Sequence, residues 1–226
     1  EAIIPAPYWV SYPDMVKLAD ADPVFIETSI DDDFKVTPER LAAAITPRTR
    51  LLILNSPSNP TGACYSAAEL GAFGEVLAAH PDLVVVADEI YECIHWAAEP
   101  FVSFAQACPD LYGRTVTVNG VSKAYAMTGW RLGYGIMPQE LAAAVAKLQT
   151  NCTSCTAAFT QIAGAEAREV RPAAARHLDD DDALLVGGPL LLDAVAEGDV
   201  PHLELEELVF GALDLVGGLG RLLELD

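Results

Sequence analysis

Leu51-Leu52-Ile53-Leu54-Asn55-Ser56-Pro57-Ser58-Asn59-Pro60-Thr61-Gly62 sets four apolar residues directly before eight that favour a turn. The apolar run is short and has no polar face, the pattern of a strand covered on both sides in a parallel sheet. The Asn, Ser, Pro and Gly that follow predict a rigid loop at the strand's end. Val24-Phe25-Ile26, Leu83-Val84-Val85-Val86-Ala87 and Thr115-Val116-Thr117-Val118 read as strands of the same kind. Arg131-Leu132-Gly133-Tyr134-Gly135-Ile136-Met137 is a further expected strand.

Helix signals fall between these runs. Thr37-Pro38 places an N-cap before a proline, with Leu41 to Ile45 continuing the helix. Ser66-Ala67-Ala68-Glu69 is a capping box, followed by an apolar face of Leu70, Phe73, Val76 and Leu77. Pro138-Gln139-Glu140 opens a third helix, with Lys147 expected in its last turn. Strand–helix alternation predicts an α/β fold over residues 1–167: a mostly parallel sheet with helices on both faces.

Composition bounds what such a fold could serve. The 226 residues hold 13 Lys+Arg against 33 Asp+Glu, a formal charge of −20, with 52% apolar residues. That apolar share rules out disorder throughout. The acidity, with no Lys/Arg cluster, argues against a nucleic-acid partner. No apolar run is long enough to span a bilayer, so no membrane partner is expected. Glu1-Ala2-Ile3-Ile4-Pro5 has no basic stretch followed by a long apolar one, so it does not read as a signal peptide, and without Met it reads as internal to a longer protein. Five scattered cysteines suit a reducing cytoplasm better than a disulfide framework. Cys152 and Cys155 could form a redox pair or half a zinc site; lacking a second pair, they are expected to be two small residues before a helix, and no metal site is expected.

Residues 168–226 differ in character. They contain no Lys, and 14 acids stand against 4 arginines. Asp179 to Asp182 lacks the alternating spacing of a calcium loop and reads as a solvated linker. Leu203, Leu205, Leu208, Val209, Leu213 and Val216 roughly keep a helical period. The segment is expected to be an acidic low-complexity tail.

In open α/β sheets, ligands bind beyond the carboxyl ends of the strands. Three expected strand ends lead into Asn55 to Gly62, into Asp88-Glu89-Ile90-Tyr91, and into Asn119-Gly120-Val121-Ser122-Lys123. Arg131 follows that lysine by eight residues. This set suits a pyridoxal phosphate ring. An amine can form a Schiff base with its aldehyde. A carboxylate can keep the pyridine nitrogen protonated. A phenol and an amide can bond the ring's 3-oxygen, and a guanidinium can clamp the phosphate. An aromatic such as Trp9 can stack on the ring.

The segments Asn55-Ser56-Pro57-Ser58-Asn59-Pro60-Thr61-Gly62, Asp88-Glu89-Ile90-Tyr91 and Ser122-Lys123-Ala124-Tyr125-Ala126-Met127-Thr128-Gly129-Trp130-Arg131-Leu132-Gly133-Tyr134 resemble the class I aminotransferases, fold-type I pyridoxal-phosphate enzymes. With Pro5-Ala6-Pro7-Tyr8-Trp9-Val10-Ser11-Tyr12-Pro13, the likeness is to the bacterial aspartate aminotransferase branch. The resemblance implies that Lys123 is the catalytic Schiff-base lysine and the acid/base of the proton shift. It implies that Asp88 pairs with the pyridine nitrogen, Tyr91 and Asn59 bond the 3-oxygen, Arg131 holds the phosphate and Trp9 stacks on the ring. It implies amino-group transfer from an amino acid to a 2-oxo acid, and a homodimer for the complete family member. C–S β-elimination and a non-catalytic cofactor-binding domain are the alternatives.

Three departures from the family pattern stand out. Gly120 replaces a serine that many relatives use on the phosphate. The family's N-terminal phosphate-binding turn has no match before Glu1, and residues 168–226 match neither the small domain nor its substrate-carboxylate arginine. Impaired transamination by this stretch alone is therefore expected.

Overall fold

The computed structural model describes residues 1–169. The acidic run at 179–182 and the expected helix at 203–216 lie outside the described residues.

Six strands form one sheet: β1 (Ala2–Ala6), β2 (Pro23–Glu27), β3 (Leu51–Asn55), β4 (Val84–Asp88), β5 (Thr115–Gly120) and β6 (Gly133–Ile136). Their order is β2-β1-β3-β4-β5-β6. Only β6 runs antiparallel, pairing Gly120 with Gly133 and Thr117 with Ile136. Seven α-helices accompany the strands: α1 (Tyr12–Leu18), α2 (Pro38–Ala44), α3 (Ala67–Ala78), α4 (Phe104–Ala107), α5 (Val121–Ala124), α6 (Gln139–Cys152) and α7 (Ala158–Glu169).

Alternation along the strands divides the core in two. Ile3, Leu52, Leu54, Val85 and Ala87 face a layer built by Leu41 of α2, Leu70, Phe73 and Leu77 of α3, and Phe104 of α4. Ile4, Leu51, Ile53, Val86, Val116 and Val118 face Tyr12, Met15 and Val16 of α1 and Val145 of α6. Helices thus cover both faces, as the strand composition predicted. The caps also form where expected. Glu69 N–H donates to Ser66 Oγ at 3.3 Å while Glu69 Oε2 accepts the Ser66 N–H at 2.7 Å, and Thr37 Oγ1 accepts from Arg40 N–H.

Three sequence expectations are corrected. Arg131 is not in β6: the strand begins at Gly133, and Arg131 has a left-handed φ of 55° that no strand residue adopts. Lys147 is not in the last turn of its helix, because α6 continues to Cys152. β1 went unread because Pro5 lies inside it, and proline cannot donate to a ladder. Its ladder to β3 covers only Ala2 and Ile3, stopping before Pro5, so the proline is tolerated in a strand with neighbours on both sides.

Gly120 is fixed by packing. A Cβ there would lie 2.9 Å from the Leu132 carbonyl oxygen and 3.1 Å from Gly133 Cα, so β6 could not approach β5. A serine at this position would push the two strands apart. Among the described residues no helix is long and apolar enough to cross a membrane.

Candidate active site

β1 has β2 on one side and β3 on the other, so successive connections leave it in opposite directions. Such a switch point opens a crevice at the carboxyl ends of the strands. Beyond Ile3 and Leu52 the β1–β3 ladder has ended. The residues that follow β1, β3, β4 and β5 converge on this edge.

Asp88 is the last residue of β4 and is 7% exposed. The Tyr12 hydroxyl donates to its Oδ2 at 2.6 Å, and Ile90 N–H donates to its Oδ1 at 3.3 Å. No Lys, Arg or His forms an ion pair with it among the described residues. Burial therefore raises its pKa, against the opposing pull of the Tyr12 bond. Tyr12 is also pushed up, by burial and by the Asp88 charge, so its hydroxyl stays a donor.

Trp9, half-buried in the β1–α1 loop, meets Tyr12 edge to face with ring centroids 5.4 Å apart. On the other side Asn55, ending β3, donates from Nδ2 to the Asp88 carbonyl at 2.9 Å and accepts the Asn59 N–H at 2.7 Å. A continuous chain of contacts thus runs Trp9–Tyr12–Asp88–Asn55–Asn59. Gly62 closes the Asn59 loop with φ +74°, a conformation that a side chain would strain.

Lys123 lies in α5, directly after β5, and is half-buried. Its Nζ stands over the Tyr91 ring, 5.5 Å from the centroid, and has no carboxylate partner among the described residues. Tyr91 in turn lies near enough to Tyr12 to raise it further. Arg131 is at the same edge, just before β6, but it is exposed and its Nη1 donates to the Thr128 carbonyl at 3.0 Å. Of the expected site residues, only Lys123 and Tyr91 meet directly; Trp9, Asp88 and Asn59 are joined through Tyr12 and Asn55, and Arg131 stands outside that chain of contacts.

Tyr12 and Asn55 were missed as functional residues by sequence reasoning. Pro13 and Asp14 in the first turn of α1 signal a helix, but nothing local says that its first residue reaches β4. Cys152, at the end of α6, and Cys155, before α7, are both exposed and free. No group of three His, Cys, Asp or Glu that could hold a metal occurs among the described residues.

The donor set fits pyridoxal phosphate. A buried carboxyl without a cation gains from a cationic ring nitrogen, and an amine without a counter-ion is free to bond an aldehyde carbon.

The model of the family "Aminotransferase class I and II" matches residues 1–181. The chain is 52% identical over 163 residues to an aspartate/prephenate aminotransferase of Nitrosomonas europaea, covering 72% of this chain and 41% of that protein. The crystal structure of the Rhizobium meliloti aspartate aminotransferase superposes with a TM-score of 0.71 at 51% identity, covering 74% of this chain and 42% of that one. The Thermus thermophilus aspartate aminotransferase with maleate gives 0.69 at 42% identity, covering 77% and 44%. The chain thus spans about two fifths of the length of these relatives. With the family model covering most of its length, and a mostly parallel sheet superposing on these structures, the chain belongs to the class I and II aminotransferases.

Proposed function

We propose that this chain holds pyridoxal 5'-phosphate at the carboxyl edge of its sheet and forms the cofactor-binding part of an enzyme that moves an amino group from an amino acid to a 2-oxo acid. When bound, the cofactor supplies an electron sink that eases removal of the amino acid's Cα proton. Asp88 holds a proton at the ring nitrogen, which keeps that sink strong. Lys123 would supply the amine that holds the cofactor's aldehyde carbon, with loss of water, and, once the substrate's amino group has displaced it, would carry the Cα proton. Tyr91 and Asn59 donate toward the 3-oxygen, Trp9 stacks on the ring face, and Arg131 supplies a guanidinium fork for the phosphate.

The observation that carries this reading is the presence of Asp88 and Lys123 at the same edge of the sheet. Among the described residues one is a buried carboxyl with no cation, the other an amine with no anion, and they stand at the ends of neighbouring strands. The names of the curated relatives favour aspartate and prephenate as the substrate class.

Borohydride reduction of the cofactor-treated chain, followed by peptide mapping, should label Lys123. Lys35 is held by both Glu69 oxygens, at 2.9 and 3.0 Å, and should stay unlabelled. Labelling at Lys17, Lys35 or Lys147 in place of Lys123 would overturn the assignment.

A further inference from the structure

Asn55 joins two parts of the edge that the backbone alone joins weakly. Its Nδ2 donates to the carbonyls of Asp88 at 2.9 Å and Pro57 at 3.1 Å, and its Oδ1 accepts the Asn59 N–H at 2.7 Å. Both amide hydrogens are thus used, along with one acceptor site on the oxygen. The loop after β3 closes on itself through Ser58 N–H to the Ala63 carbonyl and Gly62 N–H to the Ser58 carbonyl, each at 2.8 Å. Those bonds survive without Asn55. What ties the loop to β4 is Ser56 N–H to the Asp88 carbonyl, at 3.2 Å, and the Asn55 side chain. Asn55 is the longer arm of that tie, because it reaches residue 59. The Asn59 side-chain amide has no hydrogen-bond partner among the described residues, so its placement depends on its backbone.

We propose that Asn55 is a positioning residue, whose side chain holds the Asn59 loop against the end of β4 and so sets where the Asn59 amide stands relative to Asp88. This rests on the reading of the edge as a pyridoxal phosphate site. The side chain of Asn55 does not itself meet the cofactor; it acts through Asn59. Removing it leaves the loop closed but able to pivot as a unit about Ser56.

The test uses the full chain and its Asn55→Ala, Asn59→Ala and double variants. In the cofactor-free protein, hydrogen exchange at the Asn59 amide should be about tenfold faster in Asn55→Ala, the loss of roughly one hydrogen bond. In Asn55→Asp, which keeps an oxygen facing that amide, exchange should stay slow; this holds the test open if Asn55→Ala folds poorly. With pyridoxal phosphate added, the pH midpoint of the visible band reports donors to the 3-oxygen. Asn55→Ala should move that midpoint in the same direction as Asn59→Ala, and the double variant should match Asn59→Ala alone. Additive shifts, or unchanged exchange at Asn59, would overturn the proposal. A wild-type chain that takes up no cofactor would overturn the cofactor reading instead, while the exchange rates would still decide whether Asn55 holds Asn59.

Discussion

Asp88 and Glu89 stand side by side at the end of β4, and loss of water pushes both carboxyls upward. Strand alternation turns them to opposite faces. Glu89 points into the layer of α3 and α4, where it accepts Ser103 Oγ at 3.0 Å and Phe104 N–H at 2.8 Å. It lines a small cavity with Leu54, Leu70 and Ala87, room for about one water. Both of its donors lie far along the chain, so Glu89 fastens the segment after β4 back onto the sheet. Asp88 faces the crevice instead, beside the Tyr12 phenol and near the strand end that carries Lys123. Burial alone therefore does not tell the two carboxyls apart; what surrounds each does. One acid is closed in a structural tie, and its neighbour has no Lys, Arg or His ion-pair partner among the described residues.

The largest effect that would sharpen this contrast is on cofactor binding. Asp88→Asn should weaken pyridoxal phosphate binding by about 2–5 kcal/mol, the usual cost of removing one partner of a buried charge pair. Unfolding stability should hold or rise, since Asn keeps an oxygen for the Tyr12 hydroxyl and removes a carboxyl whose charged form burial disfavours. Absorbance titration and urea unfolding separate the two. Equal losses in both would reduce Asp88 to a structural acid like its neighbour.

Glu89→Ala should do the reverse. It leaves the Ser103 hydroxyl and the Phe104 amide without their acceptor and should cost about 1–3 kcal/mol in urea unfolding, with little change in cofactor affinity. Glu89→Gln keeps an acceptor and should recover most of the loss. The pH profile sharpens this further. The Glu89 carboxyl is pushed up to about 8 by burial from an ordinary 4.5, so between those values the folded chain binds the extra proton. Wild-type stability should then fall as pH rises from 4.5 through 8, and the profile of Glu89→Gln should be flatter over that window. An identical slope in both proteins would show that Glu89 is not the group responsible.

Tyr12→Phe should give the smallest change, about 1 kcal/mol of stability for one hydrogen bond. It should also move the Asp88 carboxyl further upward, because the Tyr12 bond, ahead of the Ile90 N–H, opposes burial there. A carbon-13 titration of the Asp88 carboxyl checks the direction.

Only the Asp88 side of this contrast was legible in the sequence, as a strand-end acid, and the illegible part has a common cause. The places of Asp88, Tyr91, Asn59 and Lys123 at or just beyond strand ends were legible because each follows an apolar run, and strand ends are where ligands bind in open α/β sheets. The Ser66 capping box and the Thr37 cap were legible because they involve residues three apart. Tyr12, Asn55 and Glu89 act through partners 76, 33 and 14 residues away, distances that no local pattern encodes. The two interior errors of extent, Arg131 and Lys147, arose at element ends, where a left-handed residue or a further turn of helix decides the boundary.

The most direct test of the central claim is carbon-13 titration of both carboxyls in the same chain, with and without pyridoxal phosphate. Without it, Asp88 should titrate above the ordinary carboxylate range and Glu89 near 8. On adding cofactor, Asp88 should fall sharply as it gains a cationic nitrogen, and Glu89 should stay where it is. An Asp88 carboxyl that does not move, or a Glu89 that moves with it, would contradict the account.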